Sequence, residues 1–168
     1  MPRAHNNKQV VSWALYDWAN SAFATTVMAA FFPVFFKEYW NSGADIEHST
    51  FQLGLANSLS SLVVVFLAPL LGAIADKGGS RRKFLFAFAF LGILATGCLY
   101  LVSEGAWILA VFVYALAAVG FSGANTFYDS LLVAVADREQ SDFVSALGYS
   151  LGYLGGGLLF ALNVAMVL

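Results

Sequence analysis

The sequence predicts an all-α integral membrane protein with about five transmembrane helices, because of its composition and the spacing of its charges. Among 168 residues, 60% are hydrophobic and 11% are charged, whereas a soluble domain is about 25% charged. The ten acidic and eight basic residues leave five long uncharged runs, at 18–36, 48–75, 84–103, 105–128 and 143–168. Each run is close to or above the ~20 residues that a helix needs to cross a bilayer. Soluble, disordered and coiled-coil classes are excluded, and a net charge of −2 leaves no basic patch for a nucleic acid.

The predicted domains are a cytoplasmic N-terminal segment, 1–12, and a transmembrane helical bundle, 13–168. The first helix is expected to be retained and not removed as a signal peptide. Asp17 lies at the start of its apolar run, and that run continues through 31–36. The chain stops inside or at the end of an apolar run, so we expect the N-terminal part of a longer protein; a natural five-helix protein is the alternative. The helices are expected at about 13–37, 51–75, 84–103, 106–135 and 143–168.

Lysine and arginine residues predict the orientation of these helices. Five consecutive helices place the segments 1–12, 76–83 and 137–142 on one side of the membrane. Seven of the eight bases lie in those segments, and Lys37 alone lies on the other side. Since short cytoplasmic loops carry the excess of Lys and Arg, we predict a cytoplasmic N-terminus. Aromatic residues at the predicted membrane boundaries fit the same frame; they are Trp13, Tyr16, Tyr39, Trp40 and Trp107.

The sequence offers few residues for metal binding or catalysis. Cys98 is the single cysteine, and the two histidines are His5 and His48. These residues give neither an intramolecular disulfide nor a cluster with metal-ligand spacing. We therefore predict no metal, no cofactor and no enzymatic activity.

Polar residues on the first helix break the apolar pattern. Six residues fall on or near one helical face: Trp13, Asp17, Asn20, Ser21, Ala24 and Met28. A carboxylate near the bilayer is costly and normally faces a bundle interior or a watery cavity. Asp17 and Asn20 are therefore candidate contacts for a solute or a proton. The alternative is that Asp17 lies hydrated at the interface, favoured by the positive N-terminal end of its own helix.

The fourth helix carries a second polar face. Ser122, Asn125 and Asp129 follow each other at i, i+3 and i+7. Asp129 lies ~33 Å along the helix from Trp107, near the cytoplasmic interface, where the C-terminal helix dipole disfavours an anion. Asp129 therefore needs a partner, a proton or water. Because both acids belong to the cytoplasmic half, one cavity open to the cytosol can hold both, with Asn125 as a further candidate contact.

The loop 72–83 joins one acid to a run of bases. Asp76 ends the second predicted helix, and Arg81 and Arg82 begin the third, each at the unfavourable end of its helix dipole. Anionic lipid explains the bases but not Asp76. We predict that Asp76 pairs with an arginine across the hairpin and that this loop acts as a two-state latch.

Glycines recur every four residues in the fifth predicted helix. Gly148, Gly152 and Gly156 form a ridge of small residues that lets another helix backbone approach closely, so we predict that they serve helix packing. The string 148–152 also matches the G-x-S-x-G pattern of a hydrolase, but no histidine follows His48, so the match is accidental.

Two of these segments resemble a known family. The loop, as G-x-x-x-D-x-x-x-x-R-R-K over 72–83, resembles the loop between helices two and three of the major facilitator superfamily. The string 16–23, with the glycine-rich 152–156, looks like the branch of that superfamily related to the autophagy-related vacuolar amino-acid effluxers. The resemblance covers the chain from about Ser12 to its end. It implies that the five helices form most of the N-terminal six-helix half of a major-facilitator fold, in a bacterial plasma (inner) membrane.

The resemblance also implies roles for the polar residues. Helices one and four would line a central cavity, whose candidate solute or proton contacts are Asp17, Asn20, Asn125 and Asp129. The loop residues would act in gating without touching solute; they are Gly72, Asp76, Arg81 and Arg82. Two features depart from the family: the fourth run has no arginine, and Tyr153 stands where the fifth-helix antiporter motif has proline. Neither proton coupling nor antiport therefore follows from the resemblance.

The leading functional prediction is a secondary transporter that moves a small solute by alternating access, with amino-acid export as the activity that the resemblance suggests. The expected partners are the solute, a coupling proton, the lipid bilayer and the C-terminal half of the same protein, with no nucleic acid. The alternative is a membrane scaffold or assembly subunit, which docks a partner helix on the ridge of Gly148, Gly152 and Gly156.

Overall fold

The computed structural model describes residues 7–77 and 80–167. Residues 1–6, Gly78, Gly79 and Leu168 lie outside the described residues, and with them the first half of the predicted cytoplasmic segment and the two glycines of the loop 72–83. Throughout the two described ranges, every regular element is helical.

Five helices of the described ranges are long and apolar enough to cross a membrane. They are α1 (Asn7–Trp40), α2 (Ile46–Asp76), α3 (Arg81–Leu101), α4 (Trp107–Val135) and α5 (Ser141–Val167). A helix suits these segments because it satisfies its own backbone hydrogen bonds where lipid offers no partners. The prediction of an all-α membrane protein with about five transmembrane helices is confirmed.

Four of the five helices begin earlier in the structure than predicted, and the difference is largest for α1 and α2. Helix α1 starts at Asn7, within the segment 1–12. Helix α2 starts at Ile46, where the Thr50 hydroxyl donates a 2.7 Å hydrogen bond to the Ile46 carbonyl oxygen. The runs were delimited by charge and so missed the polar first turns.

Helix α1 changes its geometry along its length. It is α-helical over Asn7–Ala22, widens to π geometry over Phe23–Phe31, and is π-helical again over Phe36–Trp40 after a short α turn. Pro33 lies between the two π segments and has no backbone N–H to donate, which disturbs the regular ladder of an α-helix. Such π segments are uncommon and occur frequently at functional sites.

The described residues divide into two compact units. One contains the residues up to Phe31 and those from Tyr128 onward; the other contains Phe32–Phe127. In the first unit, the α-helical part of α1 packs along α5.

Aromatic side chains fill the core of the unit Phe32–Phe127. Phe127 is fully buried and packs with Leu71 of α2. On α3, the ring centroids of Phe84 and Phe88 lie 5.1 and 5.8 Å from that of Phe127. Phe127 therefore ties three helices of this unit together.

A second aromatic group lies where α1 ends, within the same unit. Phe32 stacks on Tyr114 of α4 with ring centroids 3.7 Å apart. The indole N–H of Trp40 donates a 3.2 Å hydrogen bond to the Val102 carbonyl oxygen, beyond the end of α3. These contacts anchor the C-terminal part of α1 to α4 and to the loop between α3 and α4.

The substitution Phe127→Ala tests this core. It is expected to lower the free energy of unfolding by on the order of 2 kcal/mol, because the cavity removes packing contacts. The loss is not larger because lipid is itself apolar, so burying a phenylalanine between membrane helices yields little hydrophobic free energy. The matched control is Phe86→Ala on α3, whose side chain is 70% exposed. Thermal unfolding of the purified full-length protein measures both variants, and equal midpoints would contradict the assignment of Phe127 to the core.

Candidate functional site

The glycine ridge of α5 packs against α1. A Cβ atom on Gly155 would lie 2.4 Å from the Trp18 carbonyl oxygen, and one on Gly156 would lie 3.1 Å from the Ser21 carbonyl oxygen. The two helix backbones therefore come close at Gly155 and Gly156, whereas Gly148 and Gly152 face side chains. The face that Gly148, Gly152 and Gly156 present is thus occupied by a helix of the same chain.

Asp17 lies at this contact, half-buried on α1. It accepts a hydrogen bond of 3.4 Å from the Ser21 hydroxyl, one turn along the same helix. A Cβ atom on Gly152 would lie 3.0 Å from Asp17 Oδ2, so the carboxyl group faces α5. One turn further, the Thr25 hydroxyl lies 3.1 Å from the Ser21 carbonyl oxygen of its own helix and 3.2 Å from the Gly156 carbonyl oxygen of α5, so these two acceptors share its one proton.

Three aromatic rings stack beside Asp17. Trp13 and Tyr128 are nearly parallel, with ring centroids 4.3 Å apart, and the Trp13 indole N–H donates a 3.1 Å hydrogen bond to the Tyr128 carbonyl oxygen. Tyr16 stacks on Tyr128 at 5.1 Å. These three rings and the carboxyl groups of Asp17 and Asp129 are hereafter the acidic–aromatic cluster.

The charges of the acidic–aromatic cluster are both negative. Asp129 is exposed and directly follows Tyr128, whose ring stacks on that of Tyr16, the residue before Asp17. The structure therefore brings together the two acids that the sequence singled out.

The remaining predicted contacts lie elsewhere on the same helices. Asn20 is half-buried on α1, one turn beyond Asp17. Asn125 is half-buried on α4 and belongs to the unit Phe32–Phe127.

The predicted gating residues lie at the adjoining ends of α2 and α3. Gly72 is half-buried, and Asp76 is the exposed last residue of α2. Arg81 begins α3 half-buried, and Arg82 is exposed. Their roles stay predictions.

Two residues of the site were not found from the sequence. Tyr128 was overlooked because a tyrosine in an apolar run gives no signal of its own. A signal did exist in the repeated dipeptide Tyr16-Asp17 and Tyr128-Asp129, whose members the structure places together. Gly155 was overlooked because it lies outside the four-residue spacing of the ridge, although its approach to α1 is the closest.

Across residues 7–77 and 80–167, no group of three or more His, Cys, Asp or Glu side chains is placed to hold a metal ion.

Comparisons with known proteins identify the chain's relatives. A family model described as Major Facilitator Superfamily matches residues 3–160. A Bacillus subtilis (strain 168) protein, "Uncharacterized MFS-type transporter YxiO", is 41% identical over 96% of this chain and 38% of its own length. An "Uncharacterized protein" of Aquifex aeolicus (strain VF5) is 29% identical over 88% of this chain and 36% of its own.

A more distant relative is "Autophagy-related protein 22" of Coccidioides immitis (strain RS), 22% identical over 83% of this chain and 30% of its own length. The chain thus spans between about a third and two fifths of the curated relatives it matches. No solved structure matches it.

Three glycines of α5 give a graded test of the helix contact. Gly155→Ala is expected to lower the free energy of unfolding by about 1–3 kcal/mol, because the added methyl meets the rigid Trp18 backbone. Gly152→Ala is expected to cost less, since its methyl meets the movable ends of the Ser21 and Asp17 side chains. Gly157→Ala is the control, with open space at its Cβ position.

Thermal unfolding of the three purified full-length variants checks this order. A Gly155→Ala protein as stable as Gly157→Ala would show that the backbones do not touch at this point.

Proposed function

The chain belongs to the major facilitator superfamily, and from that membership we propose that it is part of a secondary transporter that carries a small solute by alternating access. The observation that supports this proposal most is the acidic–aromatic cluster. Two acids within membrane-spanning helices are expensive to keep in a bilayer, and such residues characteristically belong to ion or solute pathways. If these positions served helix packing alone, apolar side chains would do so at a lower free-energy cost.

Within this proposal, the polar residues divide by role. Asp17, Asn20, Asn125 and Asp129 contact the solute or a coupling proton. The loop that joins α2 to α3 acts in the gate, through Gly72, Asp76, Arg81 and Arg82. Amino acids are the solute class we put first, with export as the direction, because of the resemblance of the string 16–23 and the distant relationship to the autophagy-related protein. A second set of helices, supplied by the rest of the same protein, completes the pathway.

The scaffold alternative depends on a free glycine ridge. In the structure, α1 already covers Gly148, Gly152 and Gly156, so a partner helix would have to displace part of the same chain. This observation favours the transporter.

Replacing each acid by its amide tests the assignment of the solute pathway. In proteoliposomes that contain the full-length protein, Asp17→Asn and Asp129→Asn are each expected to reduce solute flux about tenfold, the equivalent of ~1.4 kcal/mol for one charge-assisted contact. Asp142→Asn, an exposed acid in the first turn of α5, serves as control and is expected to transport normally. Unchanged flux in both amide variants would remove the two acids from the mechanism.

Cysteine labelling tests the proposed cytoplasmic N-terminus in a bacterial inner membrane. After replacement of the exposed Cys98 by alanine, one cysteine is introduced at Ser42, between α1 and α2, or at Ser80, before α3. A membrane-impermeant maleimide is expected to label Ser42→Cys in spheroplasts, and Ser80→Cys only after permeabilisation, because the Ser80 loop carries four of the bases. The reverse labelling pattern would overturn the orientation.

A further inference from the structure

We propose that the acidic–aromatic cluster binds the protonated amine of the transported solute, so that the solute is an organic cation or a zwitterion that presents its ammonium group to α1. The inference rests on the proposed transport function and specifies which chemical group the site selects. Three observations carry it: two buried tyrosine hydroxyls that have no partner among the described residues, two acids on membrane-spanning segments that carry no base, and two glycines that bring a hydroxyl and a carboxyl group against one face of α5.

Two buried hydroxyl groups of the cluster have no hydrogen-bond partner among the described residues. These are the hydroxyls of Tyr16 and Tyr128. Tyr128 is only 5% exposed, and its ring is held by the stacking of Trp13 and by the bond from the Trp13 indole to its own carbonyl oxygen. The ring is therefore held in place, and its hydroxyl oxygen cannot easily move to reach another partner. A buried hydroxyl without a partner is unfavourable, and such a group requires an explanation, for which a bound ligand is one.

The charge around these hydroxyls is negative. Asp17 directly follows Tyr16 in the sequence, and Asp129 directly follows Tyr128. Along the sequence, no lysine or arginine occurs between Lys8 and Lys37, between Lys83 and Arg138, or after Arg138. The membrane-spanning parts of α1, α4 and α5 thus contribute two acids and no base. A carboxylate or phosphate group of a solute would meet like charge here, whereas an ammonium group would meet two opposite charges.

Two glycines bring the Tyr128 hydroxyl and the Asp17 carboxyl group against neighbouring turns of α5. A Cβ atom on Gly148 would lie 3.0 Å from the Tyr128 hydroxyl oxygen, and one on Gly152 would lie 3.0 Å from Asp17 Oδ2. Four residues of helix separate these positions, a rise of about 6 Å.

The oxygens of the cluster match the hydrogen bonds that an ammonium group makes. An ammonium group has three N–H donors and no acceptor. Its charge-assisted hydrogen bonds to oxygen are about 2.8 Å long, and a single nitrogen can donate to more than one oxygen at once. It would donate to the Asp17 carboxylate and to a tyrosine hydroxyl oxygen, and Asp129 would add attraction from the exposed side.

Three four-carbon probes that differ only in their end groups test the proposal. The probes are 1,4-diaminobutane, 1,4-butanediol and succinate, each added to the purified full-length protein during thermal unfolding. A ligand that binds the folded state raises the unfolding midpoint. We expect 1,4-diaminobutane to raise it by several degrees, and butanediol and succinate to leave it within error of the ligand-free value. A midpoint that does not rise with the diamine, or that rises equally with succinate, overturns the proposal.

Two variants locate the binding. Tyr128→Phe keeps the stacked ring and removes only the unpartnered hydroxyl, so it is expected to keep the ligand-free midpoint and to lose most of the shift with diamine. Asp17→Asn is expected to abolish the shift, and Asp142→Asn, the exposed acid at the start of α5, is expected to retain it. A full shift in Tyr128→Phe and Asp17→Asn would show that the diamine binds elsewhere and would also overturn the proposal.

Solute flux in proteoliposomes separates this inference from the proposed function. Flux of anionic or neutral solutes, without diamine binding, would retain the transporter and refute the amine site. Diamine binding with no flux of any solute would retain the site and refute the transporter.

Discussion

The contact between α1 and α5 depends on glycines of α5, which have no side chain to keep the two helices apart. In a bilayer, lipid tails are as apolar as leucine, so two helices associate through close van der Waals contact and hydrogen bonds. Gly155 and Gly156 bring the backbones near enough for both, since a Cβ atom at Gly155 would overlap the Trp18 carbonyl oxygen. The bond from the Thr25 hydroxyl to the Gly156 carbonyl oxygen is then within reach.

This close contact also determines where the polar groups lie. Gly152 leaves room for the Asp17 carboxyl group against α5, and Gly148 leaves room for the Trp13 ring and the Tyr128 hydroxyl. A side chain at either position would fill that space and push the polar atoms out. The glycines of α5 therefore both hold two helices together and place an acidic and aromatic cluster beside α5. The spacing of the glycines predicted their packing role, but it did not indicate which polar groups would lie beside them.

Much of the architecture follows from charge spacing in the sequence. Uncharged runs separated by clustered charges predict membrane-crossing helices. In a bilayer, each unpaired charge and each backbone N–H or C=O group without a hydrogen bond costs free energy. The two acids could also be singled out, since Asp17 and Asp129 interrupt otherwise apolar helices. For Tyr128 the repeated Tyr-Asp dipeptide is the one signal in the sequence, and the stacking of its ring on Trp13 and Tyr16 is not encoded there. This stack joins residues more than a hundred positions apart, and such contacts follow from the fold.

The π geometry of α1 shows why a face assigned by periodicity holds over only part of a helix. A spacing of 3.6 residues per turn predicted that one polar face continues from Asp17 through Ala24 to Met28. That spacing applies as far as Ala22, where α geometry ends. In the wider turns that follow, Thr25 makes the contact with Gly156, and Met28 is 37% exposed. Pro33, which cannot donate a backbone hydrogen bond, lies just beyond this segment. A proline within a membrane helix is therefore a reason to distrust a face assigned by periodicity to the residues that precede it.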